Sequence, residues 1–197
     1  MSEQEMELQF GGIVYAPAYS DDGRGKQFLG AIIECSDGGD WIIDYEEQSP
    51  FHAFAGRKVV GSGEPYEPPF GQHLFRTRRG QKPRHLHVSS MRLVEVTSDA
   101  DLVEVGARQD LSGRFERSTS DTGESMLSFV AEKGITFLVA NDPAKMSIGQ
   151  SVKVCAYPVQ PSPLTRRPPG QYLWIICPLS AADLWKWRGR SRFSQRE

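Results

Sequence analysis

Residues 49–65 read SPFHAFAGRKVVGSGEP and residues 142–158 read DPAKMSIGQSVKVCAYP, so one pattern occurs twice without a gap. In each copy a capping side chain (Ser49, Asp142) precedes a proline, and a glycine follows after five further residues. A side-chain oxygen at the cap accepts a hydrogen bond from an unpaired amide, proline fits the first helical position, and glycine adopts the left-handed conformation that ends a helix. The stretch therefore predicts a short helix, a stop and a strand, twice in one chain.

Apolar, β-rich segments surround both copies of this stretch in the same order. In the first copy, residues 10–15, 30–35 and 41–45 come before it, and residues 59–65 and 85–94 complete the repeat. The matching segments of the second copy are residues 111–115, 127–131, 135–139, 151–156 and 172–177. Alternating apolar residues separated by glycine-bearing turns predict strands. Each repeat therefore has the order strand, strand, strand, short helix, strand, strand.

That order resembles the OB-fold, a small five-stranded Greek-key barrel. The resemblance implies a mainly β protein made of two OB-like barrels in tandem, each with a short helix between its third and fourth strands. It places the barrels at residues 8–105 and 107–189, followed by a basic tail at residues 190–197. An SH3-like barrel or a β-sandwich is the alternative, and either would have to account for the capped helix.

A further capping signal lies near the end of each repeat. Residues 98–102 read SDADL, and residues 180–184 read SAADL. Serine followed three residues later by aspartate is typical of a helix start, so a brief terminal helix is predicted in each repeat. The boundary between the repeats then falls near Gly106.

The composition is that of a globular protein. The 197 residues are 39% hydrophobic and 24% charged, and no apolar run approaches the length of a membrane-spanning helix. The first residues are acidic where a secretory signal would be basic, so we expect a soluble, cytoplasmic protein without membrane contact. Cys35, Cys155 and Cys177 show no CxxC spacing and predict buried free thiols rather than a disulfide framework or a zinc site.

The formal net charge of −2 hides a segregation of charge along the chain, because each repeat opens acidic and closes basic. Such segregation bears on partners rather than on the fold. OB-folds bind oligonucleotides or oligosaccharides across strands two and three and through the one-to-two and four-to-five loops. By that resemblance, the candidate contacts are basic residues of the four-to-five loops and the C-terminal tail: Arg76, Arg78, Arg79, Lys82, Arg84, Arg166, Arg167, Lys186 and Arg188.

Aromatic residues lie among these basic ones in the sequence. Cationic groups can track phosphates while aromatic rings stack on bases, so single-stranded DNA or RNA is the first predicted partner. A solvated surface loop is the alternative interpretation. The acidic residues of strands two and three, such as Glu34 and Asp40, argue against nucleic acid because they would repel phosphate if they line the ligand face.

A protein is the second predicted partner, through acidic and aromatic residues around the third strand. These residues are Trp41, Asp44, Tyr45, Glu46 and Glu47. Aromatic anchors inside a charged rim suit a basic protein surface, as in an adaptor or an immunity-type protein. Trp41 and Tyr45 lie four residues apart and so share a strand face, and core packing is the alternative for both.

Neither a metal site nor a catalytic site is predicted. His85 and His87 share a strand face, but two histidines at that spacing are a weak metal pattern. A catalytic site would have to be assembled from Cys35, Asp44, Ser49 and His52. Nothing resembling a nucleophile elbow or another family signature supports such a site. The sequence therefore predicts a non-enzymatic binding protein without cofactor or metal.

Overall fold

The computed structural model describes residues 7–15, 19–20, 27–28, 30–67, 77–119, 123, 125–143 and 146–179. The chain is mainly β, as predicted, and contains a closed five-stranded barrel with additional strands. It divides into unit 1, Met1–Ala107 with Gln160–Arg167, and unit 2, Arg108–Val159 with Pro168–Glu197. The described residues include no helix that is long and apolar enough to cross a membrane.

The closed barrel lies in unit 1. The strands of this unit are β1 (Leu8–Tyr15), β2 (Tyr19–Ser20), β3 (Gln27–Phe28), β4 (Ala31–Cys35), β5 (Asp40–Asp44), β6 (Lys58–Tyr66), β7 (Arg84–Leu93) and β8 (Leu102–Gly106). β1 pairs antiparallel with β4 and with β6, and β4 pairs antiparallel with β5. β5 pairs in parallel with β7, and the antiparallel pair of β7 and β6 closes the ring. The ring order β1–β4–β5–β7–β6 is consistent with an OB-like barrel.

The barrel strands form where the sequence alternates. In β1, Phe10 and Val14 are buried, whereas Gln9 and Ile13 are exposed. This two-residue period buries one row of side chains and leaves the other row outside the ring. The strand segments predicted for the first repeat are confirmed, and their ends shift by only one or two residues.

A 3₁₀ helix, Pro50–Phe54, connects β5 to β6. The Ser49 hydroxyl accepts a hydrogen bond from the Phe51 amide at 3.3 Å, so the cap has the predicted form. Gly56 follows with φ +77° and donates its amide to the carbonyl of Val14 at 2.7 Å. Phe51 and Phe54 are fully buried, so the capped stretch fills the core beside the first strand.

The second copy of the capped stretch differs from the expectation. No described residue between Asp142 and Gly149 is helical, and Ala144 and Lys145 lie outside the described residues. Ile148 forms a parallel bridge with Phe115, as Ala55 does with Val14 directly after the 3₁₀ helix of unit 1, so this bridge occurs in both units. The exit is nevertheless the predicted one, because Gly149 has φ +78°.

Unit 2 has five strands in its described part. They are β9 (Gln109–Thr119), β10 (Ser125–Ala131), β11 (Thr136–Val139), β12 (Ser151–Pro161) and β13 (Tyr172–Leu179). β9 pairs antiparallel with β10 and with β12, and β10 pairs antiparallel with β11. β11 pairs in parallel with β13, and β13 pairs antiparallel with β12. Fully buried Phe115, Phe129, Val154, Leu173 and Ile175 lie in its core.

Several backbone hydrogen bonds occur in both units at corresponding places. The Gly149 amide donates to the Phe115 carbonyl at 2.8 Å, as the Gly56 amide does to Val14. The turn after β4 is closed by a bond from the Gly38 amide to Cys35, and the turn after β10 by a bond from the Gly134 amide to Ala131. Because these bonds join residues that the sequence repeat also aligns, the two units share local geometry as well as strand order.

The terminal helix predicted at residues 98–102 is wrong. Ser98 and Asp99 form a turn, and β8 begins at Leu102 and pairs with β7. The Asp99 carboxylate and the Thr97 hydroxyl both accept hydrogen bonds from the Arg57 guanidinium, so Arg57 holds this turn. The second predicted terminal helix, residues 180–184, lies outside the described residues.

Candidate functional site

The two faces of β4 and β5 can be assigned from strand pairing. Val14 pairs with Ile33, which pairs with Trp41, so these three share one face. Tyr15 pairs with Ile32, which pairs with Ile42, and these three share the opposite face. Exposed Ile13 alternates with Val14, so the face of Tyr15, Ile32 and Ile42 is the outer face of the barrel.

This outer face is buried, which is unusual for the outside of a barrel. Ile32 and Ile42 are 0% and 1% exposed, and with Tyr15 they form an apolar cluster of their own. Glu34 and Asp40 lie opposite each other on the same face and are also buried. The outer face of strands two and three therefore presents buried carboxylates beside an apolar patch.

Two arginines of the predicted basic loop bind these carboxylates. Arg78 forms a two-point contact with Glu34, with Nε 3.1 Å from Oε1 and Nη2 2.6 Å from Oε2. Arg79 lies with Nη1 3.4 Å from an Asp40 oxygen and Nη2 3.7 Å from Glu34. The Arg78 guanidinium also lies 4.4 Å from the centre of the Tyr15 ring. The basic loop and the acidic strands, which the sequence analysis assigned to rival partners, bind each other within unit 1.

A tight turn at residues 77–81 positions these arginines. The Thr77 amide donates to Gln81 at 2.9 Å, and the Gly80 amide, at φ +73°, donates to Thr77 at 2.8 Å. The Thr77 hydroxyl donates to the second carboxylate oxygen of Asp40. The turn is thus fixed to β5 through Thr77, and both guanidinium groups extend over β4 and β5.

The ion pairs change the acid–base properties of the face. Hydrogen bonding from Arg78 lowers the pKa of Glu34 below its usual range and outweighs the opposing effect of burial. The same hydrogen bond raises the pKa of Arg78. Glu34 therefore stays ionised at neutral pH although its side chain is only 7% exposed.

The next two basic residues of the loop are arranged differently. Lys82 and Arg84 are exposed and form no ion pair with any described residue. The Arg84 guanidinium lies 5.3 Å from the centre of the Trp41 ring, a cation–π contact. Two adjoining cavities of about 350 Å³ and 540 Å³ meet at Asp37, Trp41 and Arg84. We call this surface the Arg84 groove; its charged and aromatic lining residues are Asp37, Asp40, Trp41, Tyr66, Glu67, Lys82, Arg84 and His85.

Tyr66 and the two histidines form an aromatic group beside the groove. The Tyr66 and His87 rings stack with centroids 3.8 Å apart and planes at 8°, and the His85 ring lies 5.3 Å from Tyr66. The hydroxyl of Tyr45 and Nε2 of His85 are hydrogen-bonded. Burial raises the pKa of Tyr45. Tyr66 was not predicted from the sequence; its pairing with His85 in the β6–β7 register places it on the same face as both histidines.

The residues proposed for a protein partner fall into two groups. Trp41 and Asp44 are each only 6% exposed. Asp44 accepts hydrogen bonds from the amides of Tyr45 and Glu46 at 2.8 and 3.2 Å, so it shapes the chain after β5. Tyr45 is 42% exposed, and Glu46 and Glu47 are exposed. Three of the five residues therefore remain accessible to a partner.

The other basic candidates are dispersed. Arg166 is exposed and Arg167 half-buried, both in the Gln160–Arg167 segment of unit 1, where the Arg167 amide donates to Thr165. They line neither cavity of the Arg84 groove. Arg76, Lys186, Arg188 and the basic tail at 190–197 lie outside the described residues.

Three of the four residues weighed for catalysis, Cys35, Asp44 and Ser49, have structural roles or unsuitable chemistry. Burial raises the pKa of the Cys35 thiol to about 11, so the thiol is protonated at neutral pH and is a poor nucleophile. The Ser49 hydroxyl caps the 3₁₀ helix. Among the described residues, no group of three or more His, Cys, Asp or Glu side chains is placed to hold a metal ion.

The fold and this surface define a mainly β protein in which a five-stranded barrel carries a groove lined by charged and aromatic residues. No protein-family model matches the chain. Comparisons with curated proteins and with solved structures gave no match either. The function is therefore inferred from the geometry of unit 1.

Proposed function

We propose that both units are OB-like barrels derived from one duplicated unit. In both units the barrel strands, counted along the chain, pair in the order first–second–third–fifth–fourth. In unit 1 these strands are β1, β4, β5, β7 and β6, and in unit 2 they are β9, β10, β11, β13 and β12. Gly56 and Gly149 share a left-handed backbone and an amide bond to the first strand. Gly12 and Gly113 both stand where the second strand leaves no room for a Cβ. Shared strand order and matching glycine environments support a common ancestral unit.

We further propose that the chain is a non-enzymatic binding protein whose unit 1 contacts single-stranded DNA or RNA through the Arg84 groove. The observation that carries this proposal is the placement of exposed Lys82 and Arg84 beside Trp41, next to the stacked rings of Tyr66 and His87. OB-folds commonly bind oligonucleotides. The predicted absence of a cofactor and the predicted cytoplasmic location belong to the same proposal.

The groove offers the two types of contact that single strands need. Lys82 and Arg84 are exposed cations at its edge, and cations that neutralise phosphates supply most of the sequence-independent affinity for nucleic acid. The Tyr66 ring, stacked on His87, is half-buried and lines the groove, and base stacking on such a ring contributes about 1–3 kcal/mol. Both contacts are tolerant of sequence, so little base specificity is expected.

Binding of a protein partner at Tyr45, Glu46 and Glu47 is the second candidate. The 42% exposure of Tyr45 beside two exposed carboxylates favours it. The two candidates differ in their response to salt. Phosphate contacts give a log-linear loss of affinity with salt, whereas an aromatic anchor in a protein interface loses much less.

Fluorescence anisotropy with labelled single-stranded DNA and RNA tests the nucleic-acid proposal. The wild type is expected to bind in a salt-sensitive manner, and the double variant Lys82→Glu, Arg84→Glu to bind at least about tenfold more weakly. Lys58→Glu with Arg92→Glu is the control, because both residues are exposed in unit 1 and line neither cavity of the groove. Absence of salt-sensitive binding by the wild type at micromolar protein refutes the proposal.

The choice of Lys82 and Arg84 for this test follows from the ion pairs. Reversing the charge of Arg78 or Arg79 would leave Glu34 and Asp40 buried without their partners. Loss of one partner of a buried ion pair is strongly destabilising, so a lost signal could then reflect unfolding. Lys82 and Arg84 avoid that difficulty because neither is paired with a described residue.

A further inference from the structure

The loop at residues 77–81 contacts the outer face of β4 and β5, and the side chains on the two sides of this contact differ in solvent exposure. The side chains of Arg78 and Arg79 are 59% and 38% exposed, whereas those of Glu34 and Asp40 are 7% and 0% exposed. The guanidinium groups can therefore reach a ligand from solvent without movement of the barrel. The carboxylates are fixed in the barrel wall and cannot follow them.

The carboxylates hold the arginines as a phosphate would. Glu34 presents two oxygens to Nε and Nη2 of Arg78, the two-point arrangement that guanidinium forms with either carboxylate or phosphate. Arg79 lies between Glu34 and Asp40 and also donates to the Cys35 carbonyl at 3.2 Å. The low pKa of Glu34 keeps this acid ionised and competent to hold Arg78 at neutral pH.

We propose that Glu34 and Asp40 act as an internal mimic of phosphate, occupying Arg78 and Arg79 until a polyanionic strand displaces them. This inference rests on the proposed binding of single-stranded nucleic acid and adds to it how that binding is restrained. Asp40 and Gln81 line one cavity of the Arg84 groove together with Lys82 and Arg84, so a strand bound there would have its next phosphates close to Arg79 and the turn at residues 77–81. The strand first binds in the Arg84 groove. Arg78 and Arg79 then leave the carboxylates for phosphates of the strand, which lengthens the contact.

The exchange selects for long polyanions. Releasing the arginines leaves two carboxylates buried without their partners, which is costly. A single phosphate cannot offset that cost, whereas a strand already anchored in the groove brings its following phosphates at a high effective concentration. Inorganic phosphate is therefore expected to compete poorly with an oligonucleotide for this surface.

The test is a double variant that removes the two charges and keeps the shape, Glu34→Gln with Asp40→Asn. Its affinity for labelled oligothymidylate is expected to rise about tenfold, and its salt dependence to steepen by about 0.7 for each phosphate gained. The matched control is Glu95→Gln with Asp101→Asn, which changes the net charge equally at two exposed positions of unit 1. Thermal unfolding of each variant verifies that it is folded.

A second variant separates release of the arginines from a general loss of negative charge. Adding Arg78→Ala and Arg79→Ala to the double variant is expected to abolish both the gain in affinity and the steeper salt dependence. Inorganic phosphate, added at the same concentration of negative charge as the strand, should displace the strand neither from the double variant nor from the variant that also lacks the two arginines.

Each outcome distinguishes the two proposals. If the wild type binds and the double variant behaves like its charge control, the mimic is refuted and the groove proposal stands. If the double variant alone binds, the mimic is supported, and the proposed function of the wild type is refuted because the carboxylates keep the wild type from binding. If no protein binds any strand, the proposed function fails and the mimic fails with it.

Discussion

At the scale of single residues, Gly12 shows why unit 1 needs a glycine in its first strand. A Cβ at this position would lie 2.2 Å from the carbonyl oxygen of Glu34 in the neighbouring strand. Gly113 has the same environment in unit 2, with its Cβ 2.2 Å from the carbonyl oxygen of Val130. The neighbouring Gly11 is different, since its Cβ would make an ordinary 3.6 Å contact with Val60. Close approach of two backbones therefore explains Gly12 and Gly113 but not Gly11.

This difference yields a prediction about stability. Gly12→Ala and Gly113→Ala should each lower the free energy of unfolding by about 1–3 kcal/mol, because the added methyl group displaces a paired strand. Gly11→Ala should be neutral or stabilising by a few tenths of a kcal/mol, because alanine restricts the unfolded chain more than glycine does. Urea unfolding measures all three. Equal losses of unfolding free energy for Gly11→Ala and Gly12→Ala would show that β1 and β4 do not approach each other so closely at Gly12.

Glu34 gives a prediction about pH. Its pKa in the folded protein lies below the ordinary value of 4.5, so ionised Glu34 stabilises the fold above that pH and this stabilisation is lost as pH falls. The free energy of unfolding should therefore fall more for the wild type than for Glu34→Gln between about pH 7 and pH 3. Urea unfolding at both ends of that range measures the difference. Parallel curves for the two proteins would mean that Arg78 does not stabilise the carboxylate.

At the scale of secondary structure, strands were predicted well because their signal is local. The alternation of apolar and polar residues in β1 and the glycines of the turns can be recognised from residues that are neighbours in the sequence. The left-handed exits at Gly56 and Gly149 were predictable for the same reason, since a capped stretch ending in glycine has few other conformations. Local chemistry thus specifies the barrel strands of unit 1 and their turns.

Elements that depend on distant contacts were not predicted. The sequence around Asp142 has the same capped pattern as that around Ser49, yet no described residue from Asp142 to Ile148 is helical, and the local pattern does not explain this difference. The residues before Leu102 also resemble a helix start, yet β8 forms because β7 offers an open edge. The contact of Arg78 with Glu34 joins residues 44 positions apart, so no local pattern contains it. The candidate site therefore differs from the predicted one mainly in which charged residues form ion pairs with each other.

The two glycine exits give a prediction at this scale. Gly56→Ala and Gly149→Ala should each cost about 1–2 kcal/mol, because a non-glycine residue pays that amount in a left-handed backbone. Space does not contribute, since a Cβ at either glycine has no neighbour within 4 Å. Asparagine tolerates this conformation better, so Gly56→Asn and Gly149→Asn should lose less. Thermal unfolding measures the series, and a cost confined to one unit would contradict their shared geometry.

At the scale of the whole molecule, the chain does not fold as two consecutive halves. The segment Gln160–Arg167 belongs to unit 1 although it follows most of unit 2 in the sequence. In that segment the Ser162 amide donates to the Asp101 carbonyl at 2.9 Å, next to the start of β8. The Ser162 side chain is buried and accepts a bond from the Leu164 amide at 3.3 Å. A boundary near Gly106 therefore marks where unit 1 is interrupted rather than where it ends.

Substitution of Ser162 tests whether this returning segment stabilises unit 1. Ser162→Pro removes the amide that bonds Asp101, so the amides of β8 should exchange with solvent about tenfold faster. Ser162→Ala is the control, because it keeps the backbone donor and removes only the hydroxyl. Hydrogen exchange followed by mass spectrometry reports β8 separately from the strands of unit 2. If the alanine variant accelerated the exchange of β8 as much as the proline variant, the hydroxyl bond to Leu164 rather than the backbone bond to Asp101 would hold the segment to unit 1.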